Sequence, residues 1–481
     1  MLFNSVSFIG FMTIVFIVYW ILPHKYRWFM LLLSNYIFYM CWDVRGIWII
    51  GFLTITSYAT AVMIEKSGNR FWRKVFLAST VVVDVGILFF FKYFNFLYSN
   101  ILSFLKIFSV SVQPVTWNFL FPLGISFYTF QTISYVADVY AGKIGAEHHL
   151  GRYAVYVSFF PTVGSGPIER AADLLPQIKE KHVFSYEKAT YGLKLLTWGL
   201  FKKSIIADIL AEYVNKVFEN PGNYQGFALA IAGIFFSIQI YCDFSGYSDM
   251  AVGIAKLLGF DLTNNFSSPY FSASVKEFWR RWHISLSTWF RDYLYIPLGG
   301  NRVGKIRKQI NLLVTFLISG LWHGANWTFV VWGGMHGIAQ IVENAVLREQ
   351  KRDYTRWHKL CRVFIVFTFC TFAWIFFRAR NVSDAFYILI HVFDGITEPL
   401  VYLRQGFRDI GMGKRNFALY LALILILFVF DWKNQKTDVI KKISQFPAII
   451  RWSVYIGFIE LIVLCYSFLA VDAGSFIYFQ F

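Results

Sequence analysis

Charged residues and cysteines are both scarce in this chain of 481 residues. Only 15% of the residues are charged and 57% are apolar, whereas an ordinary soluble domain is roughly 25% charged. The five cysteines form no CxxC pair, so neither a zinc motif nor a disulfide framework is predicted. No low-complexity segment, Ser/Gly-rich linker or internal repeat divides the sequence. We therefore expect a single domain over residues 1–481, with no metal site and no permanently bound cofactor.

Apolar stretches long enough to cross a bilayer recur from end to end, which predicts an all-α polytopic membrane protein. We expect roughly ten to twelve membrane-inserted helices, several of them short. Basic residues outnumber acidic ones by 45 to 28, for a net charge of +17. They cluster between the apolar stretches, so positive-inside topology and an anionic leaflet explain them better than nucleic acid does. Basic turns at 23–27 and 65–74 are predicted to be cytoplasmic, with both chain termini outside.

The stretches differ in how polar they are. Plain apolar spans are predicted at residues 2–22, 28–42, 46–64, 75–98, 226–245, 361–379, 415–432 and 450–471. Residues 115–141 carry hydroxyls and an amide, which tend to face protein or a cavity because lipid cannot satisfy them. Residues 159–170 are too short and too rich in Gly and Pro to span, so we expect a re-entrant turn ending at the water-facing pair Glu169 and Arg170.

Residues 276–298 have the pattern of one amphipathic helix at a membrane surface. Wound at about 100° per residue, they place a set of large apolar side chains on one face: Phe278, Trp279, Trp282, Leu286, Trp289, Phe290 and Tyr293. The opposite face is basic, and Glu277 and Arg281 have the spacing of an i,i+4 ion pair. Rings in the membrane interface and cations in water are typical of a cytoplasmic interfacial helix. His283 falls on the margin between the faces, where half-solvation is the simplest interpretation.

The apolar stretch 310–346 must break. As one helix it would be about 55 Å long at 1.5 Å per residue, far longer than the ~30 Å hydrocarbon core. Gly320 and Gly324 flank His323 where a break is most natural, and Asn326 can cap a helix that resumes at Trp327. His323 is thereby predicted to lie at membrane depth beside a helix end, where an imidazole is suited to accept a hydroxyl proton.

Two carboxylates, Asp243 and Asp249, lie at or just past membrane depth after the span at 226–245. Intramembrane ionisable groups are candidates for function, although the simpler interpretation is a structural pair with one of the many arginines. His336 is interpreted as core or tunnel lining.

The Arg-Trp-His sequence at 281–283 and the Trp-His-Gly sequence at 322–324 resemble the membrane-bound O-acyltransferase superfamily, in its alginate O-acetyltransferase (AlgI-type) branch. The resemblance implies a helical bundle around a central tunnel, with His323 and His283 as catalytic residues. Lys276, Arg280 and Arg281 would bind an anionic donor, while Asn326, His336, Trp322 and Asp243 would line or support the tunnel. It also implies a bacterial cytoplasmic membrane as the location.

The C-terminal residues 472–481 are predicted to begin with a turn, and four of the last six residues are aromatic. An aromatic anchor at the outer interface is one interpretation, since such anchors are common at span ends. Extended, the last six residues reach about 20 Å, enough to pass from the outer surface toward the bilayer middle. The family resemblance implies the other interpretation, in which Tyr478 receives the acyl group with His323 as base.

These features predict a membrane O-acyltransferase, with acetyl as the expected group. It would move the group from a cytoplasmic thioester, acetyl-CoA or an acyl carrier protein, across the membrane for O-acetylation of a cell-surface polysaccharide. No soluble acceptor-binding domain is predicted, so an extracytoplasmic partner transferase is implied. Two alternatives stay open here: D-alanyl transfer from a carrier protein to teichoic acid, and a transporter without a covalent step. A purely structural scaffold would leave the buried histidine unexplained.

Overall fold

The computed structural model describes residues 1–109, 121–346 and 355–469. All regular elements in these three ranges are helical, as the sequence predicts. The described residues form two compact units, one built from those of 1–192 and 251–263 and the other from those of 193–250 and 264–469. Helices α9 (Tyr186–Leu200) and α11 (Phe227–Leu257) each contribute residues to both units.

Besides its share of α9 and α11, the described part of the first unit contains eight helices: α1 (Val6–Ile21), α2 (His24–Met40), α3 (Gly46–Lys66), α4 (Arg70–Ile107), α5 (Ile125–Tyr140), α6 (Leu150–Ser158), α7 (Phe160–Val163) and α8 (Ala171–Lys179). The α5 helix is buried on nearly every face, including Thr129, Gln131, Thr132 and Ser134. The Thr132 hydroxyl donates to Asp84 Oδ2 on α4 at 2.6 Å. The prediction that these polar side chains face protein is confirmed.

The expectation of a water-facing pair at the end of the 159–170 segment is wrong for Glu169. Its side chain is only 1% exposed, because it accepts hydrogen bonds from the backbone N–H (2.7 Å) and the hydroxyl (3.1 Å) of Thr263. Burial raises the pKa of Glu169 to about 7. A carboxylate whose lone pairs are satisfied by a neighbouring loop does not need water, so the segment ends inside the unit.

Besides its share of α9 and α11, the second unit contains two π-helical turns (Phe201–Ala207 and Arg291–Tyr295) and the helices α10 (Asp208–Glu219), α12 (Val275–Arg281), α13 (Ile284–Phe290), α14 (Lys305–His323), α15 (Trp327–Val346), α16 (Arg356–Arg378), α17 (Val382–His391), α18 (Pro399–Asp409), α19 (Lys414–Asn434), α20 (Val439–Ser444) and α21 (Ala448–Leu469). The predicted span at 226–245 ends too early, since α11 runs unbroken to Leu257.

Six of the described helices are long and apolar enough to cross a membrane: α3, α4, α11, α16, α19 and, over Ala448–Cys465, α21. Shorter apolar helices such as α1 accompany them. The chain is therefore a multi-pass helical membrane protein. Of the six, α11 has by far the largest buried share, 83% of its apolar window, whereas less than half of each other window is buried in protein.

Candidate active site

The prediction of a single amphipathic helix over residues 276–298 is wrong. The structure has two short helices, α12 and α13, separated at Trp282 and His283. His283 has left-handed backbone angles, φ 43° and ψ 56°, which an α-helix cannot accommodate. A π-helical turn then follows α13. The ion pair predicted within α12 is confirmed, because Arg281 Nη2 lies 2.6 Å from Glu277 Oε1.

The aromatic face of this segment is protein core and does not lie at a membrane surface. Phe278, Trp282 and Leu286 are at most 1% exposed. The Trp282 ring lies 4.9 Å from that of Trp374 on α16, and the Trp279 ring lies 5.2 Å from that of Phe316 on α14. Apolar side chains at helical spacing are expected for either environment, so the periodicity could not distinguish a protein neighbour from lipid.

His283 is fully buried, and the expectation of half-solvation is wrong. Phe244 of α11 packs edge-on against its imidazole at 4.5 Å between ring centroids. The Trp322 ring of α14 also contacts the imidazole, at 6.2 Å between ring centroids. Burial lowers the pKa of His283 to about 3, so the ring is neutral at physiological pH.

The break predicted at the second histidine is confirmed. Helix α14 ends at His323, with Gly324 as its C-cap, and α15 begins at Trp327. The Asn326 side chain accepts a hydrogen bond from the Thr328 N–H at 3.1 Å, which is the capping interaction expected of it. The Asn326 amide also donates to the Arg380 carbonyl at 2.8 Å, so Asn326 fixes the start of α15 from two directions.

His323 lies in an aromatic enclosure and is 4% exposed. Its ring centroid is 5.0 Å from those of Trp322 and Trp332, and 5.2 Å from that of Phe377. Trp322 therefore contacts both His323 and His283. The fold thus brings two histidines that are 40 positions apart in the sequence against one indole.

A cavity of about 630 Å³ is lined by residues of the segments that carry the two histidines, although neither histidine is itself a lining residue. Four of the lining residues are cationic: Lys276, Arg280, Arg291 and Lys308. The rest of the lining consists of Trp279, Ile284, Leu286, Ser287, Thr288, Phe290, Tyr295, Asn301, Leu312, Thr315, Phe316, Ser319, Gln340 and Asn344. Two of these residues adjoin the histidines along the chain. Ile284 follows His283 directly, and Ser319 is four residues before His323, which places it on the same face of α14.

The three cations predicted to bind a donor are not equivalent. Lys276 and Arg280 line the cavity, but Arg281 does not. Arg281 is directed to Glu277 and also donates to Gln435 Oε1 at 3.3 Å. The predicted relay residue Tyr478 and the rest of the tail at 472–481 lie outside the described residues.

His336 is buried behind the cavity wall. Its Nδ1 accepts a hydrogen bond from the Trp279 indole N–H at 3.2 Å, and Trp279 is a lining residue. The Trp332 ring lies between His336 and His323, at 5.1 Å and 5.0 Å. His336 is thus a core residue that orients part of the wall, which agrees with its interpretation from the sequence.

Asp243, which is buried, and Asp249, which is partly exposed, are paired with lysines, and the expectation of arginine partners is wrong. Lys203 Nζ lies 2.6 Å from Asp243 Oδ1 and 2.7 Å from Asp208 Oδ1. Lys202 Nζ lies 2.7 Å from Asp249 Oδ2. Asp243 does not line the cavity, so it supports the fold of α11.

Sequence reasoning missed these lysines and the π-helical turn that holds them. Lys202 and Lys203 are adjacent in an otherwise apolar stretch, and both are buried. A π-helical turn displaces the residues around it from α-helical positions, and here both ammonium groups face carboxylates of the unit. Two consecutive lysines between Phe201 and Ile205 were the signal that could have indicated buried pairing.

Comparisons with known proteins show the family to which the chain belongs. Residues 143–380 match the family model of the membrane-bound O-acyltransferases (MBOAT). The chain is 38% identical over 437 residues to "Probable alginate O-acetylase AlgI" of Pseudomonas aeruginosa, covering 89% of this chain and 81% of the relative. It is 34% identical over 424 residues to a peptidoglycan O-acetyltransferase of Helicobacter pylori, covering 81% of this chain and 79% of the relative.

A more distant similarity is to a teichoic acid D-alanyltransferase of Bacillus subtilis, 28% identical over 280 residues, covering 55% of this chain and 70% of the relative. The fold and the site thus define a multi-pass membrane acyltransferase. The chain belongs to the membrane-bound O-acyltransferase family, in its AlgI-type branch. The resemblance noted in the sequence is confirmed, and acyl transfer is favoured over the transporter alternative.

Proposed function

We propose that this protein moves an acetyl group from a cytoplasmic thioester donor across a bacterial cytoplasmic membrane, for O-acetylation of a cell-surface polysaccharide. One observation carries the proposal: the cavity of about 630 Å³ has cations among its lining residues, and it is also lined by chain neighbours of two buried histidines. Coenzyme A and the arm of an acyl carrier protein share a phosphopantetheine group, which is anionic at one end and carries the thioester at the other.

The lining of the cavity fits such a donor in both charge and length. Lys308 and Ser319 lie on α14 and are separated by about 16 Å at 1.5 Å per residue. An extended arm of 13 or 14 bonds covers about the same distance, given roughly 3.3–3.6 Å for every three chain bonds. With the phosphate near Lys308 and Arg280, the thioester would lie near Ser319, one helical turn from His323.

The transfer step balances without a further reactant. The acceptor hydroxyl oxygen attacks the thioester carbonyl carbon and gives its proton to His323, while Ile284, the residue after His283, lines the same cavity. The C–O bond forms, the C–S bond breaks, and the proton passes on to the departing thiolate. A neutral imidazole suits the accepting role, and aromatic walls that exclude water limit hydrolysis of the thioester.

The proposal includes the acceptor side. Tyr478 would receive the acetyl group as a phenyl ester and hand it to an extracytoplasmic transferase, with both chain termini outside. The names of the O-acetylating relatives support acetyl as the group and an envelope polysaccharide as the destination. D-alanyl transfer to teichoic acid is the second candidate. It is less favoured because the teichoic acid D-alanyltransferases are less similar to this chain in identity and in coverage.

The experiment that tests the proposal replaces His323 by alanine in the purified protein supplied with acetyl-CoA or an acetylated carrier protein. Loss of a general base lowers the rate by about 10²–10⁴, so turnover should nearly vanish. His391→Ala is the matched control, because His391 is a partly exposed histidine paired with Asp394. An unchanged thermal midpoint with activity within a few fold of wild type would refute the role of His323. Transfer of D-alanine but not acetyl would instead select the second candidate.

A further inference from the structure

The segment around Asn265 runs alongside the break that carries His283. The backbone N–H of Ile284, the residue after His283, donates to the Asn265 carbonyl at 3.0 Å. The Ser285 N–H and hydroxyl both donate to Asn265 Oδ1, at 3.2 Å and 2.7 Å. On the other side of His283, the Ser267 N–H donates to the Arg281 carbonyl at 3.0 Å. Four hydrogen bonds thus fix the chain immediately before and after this histidine.

His283 needs such support because of its backbone conformation. Left-handed angles are disfavoured for residues that carry a side chain, and they persist only where the surroundings over-determine them. Among the described residues only Ser109, Ser268 and His283 have positive φ without being glycine. An ordinary helical conformation at His283 would continue α12 and direct the imidazole elsewhere. The bonds to Asn265 oppose that continuation, because they hold the first turn of α13 in its own direction.

Asn265 is itself anchored to the helix that contacts the imidazole. Its Nδ2 donates to Ser248 Oγ on α11 at 3.3 Å, and Phe244, one turn earlier on α11, packs against the His283 ring. Asn265 and His283 are buried, at 1% and 0% exposure. Helix α11 therefore contacts the His283 ring through Phe244 and also holds Asn265, the residue that fixes the backbone directly after His283, through Ser248.

We propose that Asn265 is a positioning residue for acyl transfer, acting through His283 by holding its left-handed backbone and hence the direction of its imidazole into the site. This inference rests on the proposed function, since it presumes that His283 takes part in the reaction. An asparagine suits the task because Oδ1 accepts two bonds from Ser285 while Nδ2 donates to Ser248. Alanine would remove all three side-chain bonds, whereas aspartate would keep the two accepted ones.

The test is a double-mutant cycle in the purified full chain with acetyl-CoA as donor. We expect Asn265→Ala to lower kcat by about 10²-fold, the cost of a misplacement near 1 Å, with KM for the donor unchanged because the cavity cations are untouched. In the His283→Ala background the same change should cause no further loss. Asn265→Asp should restore kcat to within a few fold of wild type.

Each outcome distinguishes this inference from the proposed function. Equal losses from Asn265→Ala with and without His283 would overturn the positioning role, as would failure of Asn265→Asp to recover activity. Full activity of His283→Ala would refute the role of that histidine in the proposed function itself. If Asn265→Ala does not fold, Ser285→Ala removes only the 2.7 Å bond. Its smaller loss of kcat must also disappear in the His283→Ala background.

Discussion

Helices α14 and α15 cross where Gly320 faces Gly333, a short distance from His323 and its neighbour Trp332. A Cβ on Gly333 would overlap the carbonyl oxygen of Phe316 and lie 3.2 Å from Gly320 Cα. Carbon atoms pack best at roughly 3.5–4.0 Å, so Gly333→Ala must separate the two helices, by about 1 Å at the overlapping oxygen.

Two free-energy terms determine the effect of Gly333→Ala. Overpacking typically lowers the free energy of unfolding by about 1–3 kcal/mol. Alanine in place of glycine inside a helix raises it by roughly 1 kcal/mol. Gly334→Ala is the matched control on the same helix, because its Cβ would meet only Leu317 Cδ2 at an ordinary 3.5 Å. The helix gain is common to both variants, so Gly333→Ala should be less stable than Gly334→Ala by about 1–3 kcal/mol.

The effect on activity should be larger than the effect on stability. His323 ends α14, and its ring lies edge-on to that of Trp332 on α15 at 5.0 Å. Separating the helices moves one against the other, and a 1 Å misplacement can reduce the rate by about 10²-fold. Thermal unfolding in detergent and acetyl transfer from acetyl-CoA would measure the two effects. Equal stability and equal turnover of Gly333→Ala and Gly334→Ala would refute the close helix crossing.

Three further predictions follow from the site. Arg280→Gln should raise the KM for acetyl-CoA about tenfold, since a charge-assisted contact contributes roughly 1.5 kcal/mol, whereas Arg281→Gln should not; equal KM values would mean that Arg280 does not contact the donor. Tyr478→Phe should fold, bind donor and transfer nothing, with the acetylated peptide absent by mass spectrometry; full polysaccharide acetylation would make the tail an anchor. Lys203→Met should lower the stability by about 3–5 kcal/mol, because it leaves Asp243 and a second buried carboxylate without their ammonium; an unchanged thermal midpoint would contradict this.

Much of the fold was predictable because its determinants are local. Long apolar stretches need helices in a membrane, and the six helices long enough to span fall where such stretches lie. The break after His323 also follows from nearby residues, since Gly324 ends α14 and Asn326 caps α15. The pair of Glu277 and Arg281 depends only on i,i+4 spacing within α12. These features need no knowledge of what packs against them.

The site at His283 was not predictable in this way. The sequence 276–298 has helical periodicity throughout, and local propensity gives no reason to interrupt it at a histidine. The interruption depends on Asn265, 18 positions earlier than His283. The Asn265 side chain accepts a hydrogen bond from the Ser285 N–H, and its backbone carbonyl accepts one from the Ile284 N–H. Likewise, aromatic residues at helical spacing suit lipid and protein equally well, so only the packing of Trp282 against Trp374 shows which one they face.

For the charged residues too, the sequence determined some properties and the tertiary structure determined others. The sequence alone determined that this is a helical membrane protein with an excess of cations between its apolar stretches, because hydrophobicity and net charge are sums over residues. Which cations line the cavity, as Lys276 and Arg280 do, and which neutralise buried carboxylates, as Lys203 does, was decided only by tertiary structure. The reason is that a charge acts over a few ångströms, and those neighbours come from helices far apart in the chain.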